Sequence, residues 1–108
     1  MNSRTKGKVG EREAAKLLSE LFSLDVRRAQ QYCGVAGHAD LTGFPGVHLE
    51  IKRREKGNVH RWMAQARSDC RSADVPLLVH RASQEQWLAT CDLASLPRLA
   101  KVLMEILK

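Results

Sequence analysis

Two acidic residues and a lysine lie close together in the sequence and could together bind a divalent metal ion and hydrolyse a phosphodiester. Asp40 precedes a turn-like segment, residues 43–46, and Glu50, Ile51 and Lys52 follow it. Mg²⁺ prefers oxygen ligands and usually keeps several waters, so two carboxylates and a main-chain carbonyl, here that of Ile51, could hold it. The bound ion would polarise the phosphate and activate water. A lysine beside it could position or deprotonate the nucleophile, or neutralise the transition state.

The segment that carries Glu50 and Lys52 has the alternation of a β-strand. Apolar Val47, Leu49 and Ile51 alternate with polar His48, Glu50 and Lys52. Side chains two residues apart leave the same side of a strand, so Glu50 and Lys52 share one face. The alternative is a solvated face that carries an ordinary ion pair. A Glu-x-Lys triplet alone is a weak motif, and the upstream Asp40 makes it more specific.

The other elements are predicted from hydrophobic spacing and from turn residues. We expect helices at about 8–22, 58–72 and at the carboxyl end, and further strands at 25–29, 39–42, 75–80 and 86–91. Asn58 can cap the second helix, and Pro97 fits the first turn of the last. The last helix is predicted to bury Leu96, Leu99, Val102, Leu103 and Ile106. The order α-β-β-β-α-β-β-α predicts an α/β sandwich with a mixed sheet.

Length and charge set the class of protein and of partner. With 108 residues the chain is expected to form one domain, 1–108, with a modest core. Its net charge of +6 indicates a polyanionic partner, usually nucleic acid. Basic residues gather at 4–12, at 52–56 and at 61–71. For any one group a solvated face is the plainer interpretation, but three groups flank the same acidic residues.

Cysteine use and hydropathy exclude several other classes. Cys33, Cys70 and Cys91 are odd in number and far apart, so we expect reduced, mostly packed thiols and neither a disulfide framework nor a zinc site. No apolar run is long enough to cross a bilayer, and the first residues do not resemble a signal peptide. We therefore expect a cytoplasmic protein, of a bacterium or a phage-infected host cell, with no membrane partner.

These residues together resemble the PD-(D/E)xK nuclease superfamily and, within it, the archaeal-type Holliday junction resolvases and their phage-encoded relatives. The segment 10–13, Gly-Glu-Arg-Glu after a basic stretch, resembles the start of the family's first helix. Asp40 matches the motif aspartate and 50–52 the Glu-x-Lys motif, although Ala39 stands where the family commonly has proline. The resemblance implies a restriction-endonuclease-like α/β fold, an αβββαβ core with a mixed central sheet flanked by helices.

The resemblance also implies a set of site residues. The catalytic residues would be Glu11, Asp40, Glu50, Lys52 and Gln65. The metal ligands would be Asp40, Glu50, the carbonyl of Ile51, and Glu11. We expect DNA contacts from Lys6, Lys8, Arg12, Arg27, Arg28, Arg53, Arg54 and Lys56.

Several of these assignments have an ordinary structural alternative. The family's first-strand arginine could be Arg27 or Arg28. Glu11 could be a first-turn acid favoured by the helix dipole, and Gln65 a surface residue. We assign no role to His38 or His48, and we expect Trp62 and Trp87 to pack rather than to stack on bases.

The function implied is a Mg²⁺-dependent DNA endonuclease that acts on branched DNA as a Holliday junction resolvase. We expect Mn²⁺ to substitute for Mg²⁺. We also expect a homodimer, with the last helix as a candidate interface. The alternatives are another nuclease of the same fold, of nicking, repair or restriction type, and a non-catalytic basic DNA-binding module. The intact acidic residues and Lys52 count against the last alternative.

Overall fold

The computed structural model of the chain describes residues 3–29 and 39–108, with side chains from residue 7 onward in the first segment. Three α-helices, one 3₁₀ turn and five strands occur in these residues. In chain order they are α1 (Ser3–Phe22), β1 (Arg27–Arg28), β2 (Leu41–Thr42), β3 (Val47–Arg53), α2 (Val59–Asp69), β4 (Val75–Arg81), β5 (Leu88–Thr90), the 3₁₀ turn (Leu93–Ser95) and α3 (Leu96–Ile106). The predicted order of helices and strands is confirmed. Cys33 and His38 lie outside the described residues.

The five strands form one mixed sheet in the order β1-β2-β3-β4-β5. Only the central pair, β3 and β4, runs parallel, with Val47 opposite Val75 and Arg53 opposite Arg81. The other neighbours are antiparallel. A parallel pair needs a crossover connection, and α2 supplies it. The sheet and its helices are therefore the mixed α/β arrangement that the sequence predicts.

The main core lies between α1 and one face of the sheet. Ala14 and Leu18 of α1 are buried in one apolar cluster with Leu49 and Ile51 of β3. At Gly10 a Cβ atom would lie 2.7 Å from the Cβ of Arg53, so the absence of a side chain lets α1 approach the end of β3 closely. The first turns of α1 are thereby held beside the Glu-x-Lys strand.

The opposite face of β3 is also covered. His48 is 3% exposed and Glu50 2% exposed, and α2, with Met63 and Ala66 buried, contacts both β3 and β4. The interpretation of this face as solvated is therefore wrong at His48 and Glu50. The reason is that a crossover helix lies over a parallel strand pair and covers it.

Several element bounds differ from those expected. Helix α1 begins at Ser3 rather than near residue 8, and β1 and β5 are shorter than predicted. The side chain of Asn58 accepts a 3.1 Å hydrogen bond from the main-chain nitrogen of Arg61, which confirms the predicted cap of α2.

The last helix is less buried than expected. Leu99 is buried, Val102, Leu103 and Ile106 are partly buried, and Leu96 is 46% exposed. Burial of Leu96 was therefore wrongly predicted. Leu96 directly follows the 3₁₀ turn, which the sequence did not indicate. Of the described helices, none is apolar over enough length to span a membrane.

Candidate active site

The predicted catalytic residues meet in one cleft of about 410 Å³, which lies between the start of α1, the end of β3 and α2. It is lined by Gly7, Glu11, Asp40, Glu50, Ile51, Lys52, Arg53, Arg54, Glu55, Lys56 and Gln65. Residues that are more than fifty positions apart in the sequence thus line the same cleft. All five residues that the resemblance marks as catalytic line it.

Main-chain hydrogen bonds fix Asp40 between two strands. Its nitrogen donates to the Leu49 carbonyl at 2.9 Å, and its own carbonyl accepts from the Ala29 nitrogen at 2.9 Å. Its side-chain Oδ2 accepts a 2.7 Å hydrogen bond from the main-chain nitrogen of Ile51. Because β2 pairs antiparallel with β3, the residue just before β2 reaches the strand position beside Glu50.

The pKa of Asp40 shows how the acidic groups of the cleft interact. Burial first, and then the negative charge of Glu50, raise the pKa of Asp40 from 3.8 to about 7. The Ile51 N–H bond lowers it, Glu11 raises it further and Lys52 lowers it. Two carboxylates in one partly buried cleft repel each other, so a bound cation would relieve the repulsion.

Glu50 lies between two nitrogen-bearing side chains on its own strand. The Lys52 Nζ is 4.0 Å from Glu50 Oε2, and the His48 Nε2 is 3.8 Å from Glu50 Oε1. The buried His48 Nε2 has no hydrogen-bond partner within the described part of the chain. Sequence reasoning assigned His48 no role, and the only signal for it is its position two residues before Glu50 on the same strand face.

The structure distinguishes the two first-strand arginines. Arg28 Nε lies 2.8 Å from Glu11 Oε1, so Arg28 contacts a residue of the cleft. Arg27 is exposed and pairs instead with Asp25 at 2.8 Å. Of the two, Arg28 is therefore the one that is partly buried and that contacts a residue lining the cleft.

The oxygen ligands that the cleft offers suit a hard divalent cation that takes only a few of its ligands from the protein. Asp40, Glu50 and the Ile51 carbonyl offer oxygen ligands, and Mg²⁺ commonly takes only one or two carboxylates and fills its shell with water. Among residues 7–29 and 39–108, no three His, Cys, Asp or Glu side chains are grouped closely enough to hold a metal ion. Glu11 lines the same cleft but does not form a three-residue ligand group with Asp40 and Glu50, and its Oε1 accepts a hydrogen bond from Arg28.

The predicted DNA-contacting residues are placed in different ways. Arg54 and Lys56 are exposed at the mouth of the cleft, whereas Arg53 is partly buried and lies 3.2 Å from Glu13. Lys8 and Arg12 are exposed on α1 but do not line the cleft, and the side chain of Lys6 is outside the described atoms.

Comparisons with known proteins agree with this fold. The protein family described as "phage putative PDDEXK endonuclease" matches residues 2–106. Among solved structures, the chain is similar to Hjc of Archaeoglobus fulgidus, a Holliday junction resolvase from an archaeal hyperthermophile. The TM-score is 0.58 at 14% identity, over 90% of this chain and 99% of that one. At this identity the likeness concerns the fold. No curated protein matches the sequence. The family match covers nearly the whole sequence, and the chain therefore belongs to the phage PDDEXK endonuclease family.

Proposed function

We propose that this endonuclease depends on Mg²⁺ and cleaves branched DNA as a Holliday junction resolvase. The observation that carries the metal dependence is the cleft that brings Asp40, Glu50 and Lys52 together, with the pKa of Asp40 raised by burial and by Glu50. Mn²⁺ has similar ligand preferences and is proposed to substitute.

Five of the residues that line the cleft would take part directly in the reaction. Asp40, Glu50 and the Ile51 carbonyl would hold the ion, which would polarise the scissile phosphate and activate a water molecule. Lys52, whose Nζ lies 4.0 Å from Glu50 Oε2, would bind an anionic phosphate oxygen as the ammonium, or would take a proton from the attacking water as the neutral amine. Gln65, exposed on α2 at the cleft, would orient the phosphate.

Binding of the DNA backbone is assigned to the basic residues around the cleft. Arg54 and Lys56 stand at its mouth, and Lys8 and Arg12 are exposed on the helix that forms one wall. Arginine and lysine contacts to phosphates position a nucleic acid without reading its sequence. The net charge of +6 agrees with a substrate recognised by shape and charge.

Fold likeness supports the branched substrate, and the symmetry of the reaction supports the homodimer. The fold likeness to a Holliday junction resolvase supports the substrate, although one fold can serve several nucleases. One chain holds one copy of the cleft, and resolution of a junction needs two symmetric cuts. A two-fold dimer supplies them with a single self-complementary patch. We propose that the enzyme acts in the cytoplasm of a bacterium or of a phage-infected host.

A cleavage experiment on synthetic DNA tests this function. A four-way junction labelled on each strand in turn, and a linear duplex of the same arm sequence, are incubated with the protein in Mg²⁺ and in EDTA. We expect paired, symmetric cuts in the junction in Mg²⁺, and none in EDTA or with Glu50→Gln. Equal cutting of duplex and junction would favour a nicking, repair or restriction-type nuclease, and cutting in EDTA would contradict the metal site.

A further inference from the structure

A second cavity, of about 300 Å³, adjoins the cleft and shares Arg54 and Glu55 with it. It lies between the segment after β3, the start of α2 and the β4–β5 hairpin. Its volume is at the small end of those that take organic ligands. Because Arg54 and Glu55 line both cavities, a molecule whose phosphate lies in the cleft could place a neighbouring group in the second cavity.

The walls of this cavity are tied together before any ligand binds. The carboxylate of Glu55 accepts hydrogen bonds from the main-chain nitrogen of Ser83, at 3.1 Å, and from the Ser83 hydroxyl. The main-chain nitrogen of Arg54 donates to the Arg81 carbonyl at 3.1 Å. These contacts join the segment after β3 to the hairpin, so the cavity is preformed rather than assembled around a ligand.

An aromatic side chain forms one wall. The indole of Trp62 is partly buried and packs on Gly57, where a Cβ atom would lie 1.9 Å from the indole Cζ2. The ring of His80 is 6.0 Å from that of Trp62, centroid to centroid, and its Nε2 is 2.9 Å from Thr90 Oγ1. Burial lowers the pKa of His80 and so favours the neutral imidazole. Gly57 and His80 together hold the Trp62 indole in one orientation, where it forms an uncharged aromatic wall of the cavity.

Four charged residues line the second cavity, Arg54, Glu55, Arg81 and Glu85, and two of them, Glu55 and Arg81, are engaged within the protein. Glu55 is bound to Ser83, as described above. The Arg81 guanidinium lies 5.8 Å from the centre of the Trp87 ring and its Nη1 is 3.7 Å from Glu13. The remaining surface includes Trp62, His80 and the 57% exposed Leu88. Such a surface suits a flat, uncharged group with a π face rather than a phosphate.

We propose that the second cavity receives one unpaired nucleobase of the bound DNA, which stacks on Trp62 while Arg54 contacts the phosphate beside it. The proposal rests on the proposed function, because it requires DNA in the cleft. Bases of any identity stack on aromatic side chains. A base that is already unpaired enters such a pocket at little cost, which would favour DNA with a branch, bulge or mismatch over perfect duplex.

A binding experiment in EDTA tests the base pocket independently of cleavage. The full chain is titrated with a duplex that carries a single unpaired 2-aminopurine, and with the same duplex in which that base is paired. We expect tighter binding of the first duplex, with quenched 2-aminopurine fluorescence. Trp62→Ala should weaken binding of the unpaired-base duplex by roughly tenfold and remove the quenching, with binding of the paired duplex unchanged.

Three further variants separate stacking from folding. Trp62→Phe keeps an aromatic face and should retain the preference. Trp87→Phe is the matched control and should behave as the wild type. Ala82→Phe narrows the cavity while Trp62 stays in place on Gly57, and should remove the preference even if Trp62→Ala fails to fold.

The outcomes distinguish this proposal from the proposed function. A wild-type protein with no preference for the unpaired base, or an unchanged preference in both Trp62→Ala and Ala82→Phe, would overturn the base pocket. If Trp62→Ala weakened binding of both duplexes equally, that would also overturn the base pocket, since it would indicate a general DNA contact. A protein that shows the preference in EDTA but never cleaves in Mg²⁺ would keep the pocket and contradict the proposed catalysis.

Discussion

The carboxylate of Asp40 accepts a 2.7 Å hydrogen bond from the main-chain nitrogen of Ile51, the residue between Glu50 and Lys52. This bond ties the segment before β2 to the middle of β3. It also places the negative charge of Asp40 beside that of Glu50, and this charge contributes to the raised pKa of Asp40. Asp40 therefore has a structural role, through its hydrogen bond to Ile51, and an electrostatic role, through its charge. Different substitutions can separate the two.

Replacement of Asp40 by asparagine should abolish cleavage while the fold is kept. The amide oxygen of asparagine can still accept from the Ile51 nitrogen, but the negative charge that would hold the metal ion is lost. We expect cleavage to fall by at least about a hundredfold and Mg²⁺ affinity to fall with it, while DNA binding in EDTA persists. Calorimetric titration with Mg²⁺ and initial cleavage rates measure the two effects.

The matched control for this carboxylate is Asp92→Asn. Asp92 pairs with Arg67 at 2.8 Å, away from the cleft, so its loss should leave the rate unchanged. Cleavage at the wild-type rate by Asp40→Asn would remove Asp40 from the site.

The stability of the metal-free protein should fall as pH rises from about 4 to about 7. The pKa of Asp40 is raised to about 7 in the folded protein and is near 3.8 in the unfolded chain, so the folded state holds the extra proton across this range. Stability is therefore highest below this range and is lost as the proton leaves. The full difference corresponds to at most about 4 kcal/mol, and solvent access to the carboxyl reduces it.

Urea unfolding in EDTA at several pH values measures this dependence. Asp40→Asn cannot titrate at this position, so its stability should change less across the same range. Parallel curves for the wild type and the variant would show that Asp40 keeps an ordinary pKa. In Mg²⁺ the wild type should lose less stability as pH rises, because a bound cation stabilises the carboxylate form of Asp40.

Lys52→Met should stop the chemical step without unfolding the protein. Methionine keeps much of the length and packing of the partly buried lysine stem but removes the charge that lies 4.0 Å from Glu50. We expect a loss of at least about a hundredfold in single-turnover cleavage, with a thermal midpoint close to that of the wild type. Lys101→Met, exposed on α3, is the control and should cleave normally. Normal cleavage by Lys52→Met would exclude the lysine from the mechanism.

DNA binding should weaken steeply with salt, because basic side chains displace counterions from phosphates. Arg54→Ala and Lys56→Ala, which remove exposed charges at the mouth of the cleft, should each lower the slope of log affinity against log salt by about 1. Fluorescence anisotropy at several salt concentrations gives the slopes. Arg67→Ala is the control, since Arg67 is already paired with Asp92. A flat salt dependence in the wild type would mean that the basic groups are solvated and bind no phosphate.

Substitution on the exposed face of α3 should separate the proposed dimer. Met104 is 70% exposed and Leu107 61% exposed, which leaves apolar surface available to a second copy. A carboxylate in such an interface is costly, so Met104→Glu should weaken dimerisation by at least about tenfold. Sedimentation equilibrium at micromolar concentration measures it, with Lys101→Glu as a control on the same helix. A monomeric wild type would exclude this interface.

Local patterns in the sequence determined most elements and the pairing of Glu50 with Lys52. Alternation along 47–53 places both residues on one face of a strand, because side chains two residues apart always share a face. Asn58 marked the start of α2, since its side chain can satisfy a free N–H at a helix end. Short strands were less well predicted, because a strand of two or three residues depends on its partner rather than on its own pattern.

Only the tertiary structure decided which residues share a space and which faces are covered. It buried His48 and Glu50 under α2, paired Arg28 rather than Arg27 with Glu11, and placed Trp62 in the wall of a second cavity. Each outcome depends on how a distant helix or hairpin packs against a strand. A sequence pattern fixes the direction of a side chain along its own element, whereas burial, charge pairing and cavity walls arise from contacts between elements that are far apart in the chain.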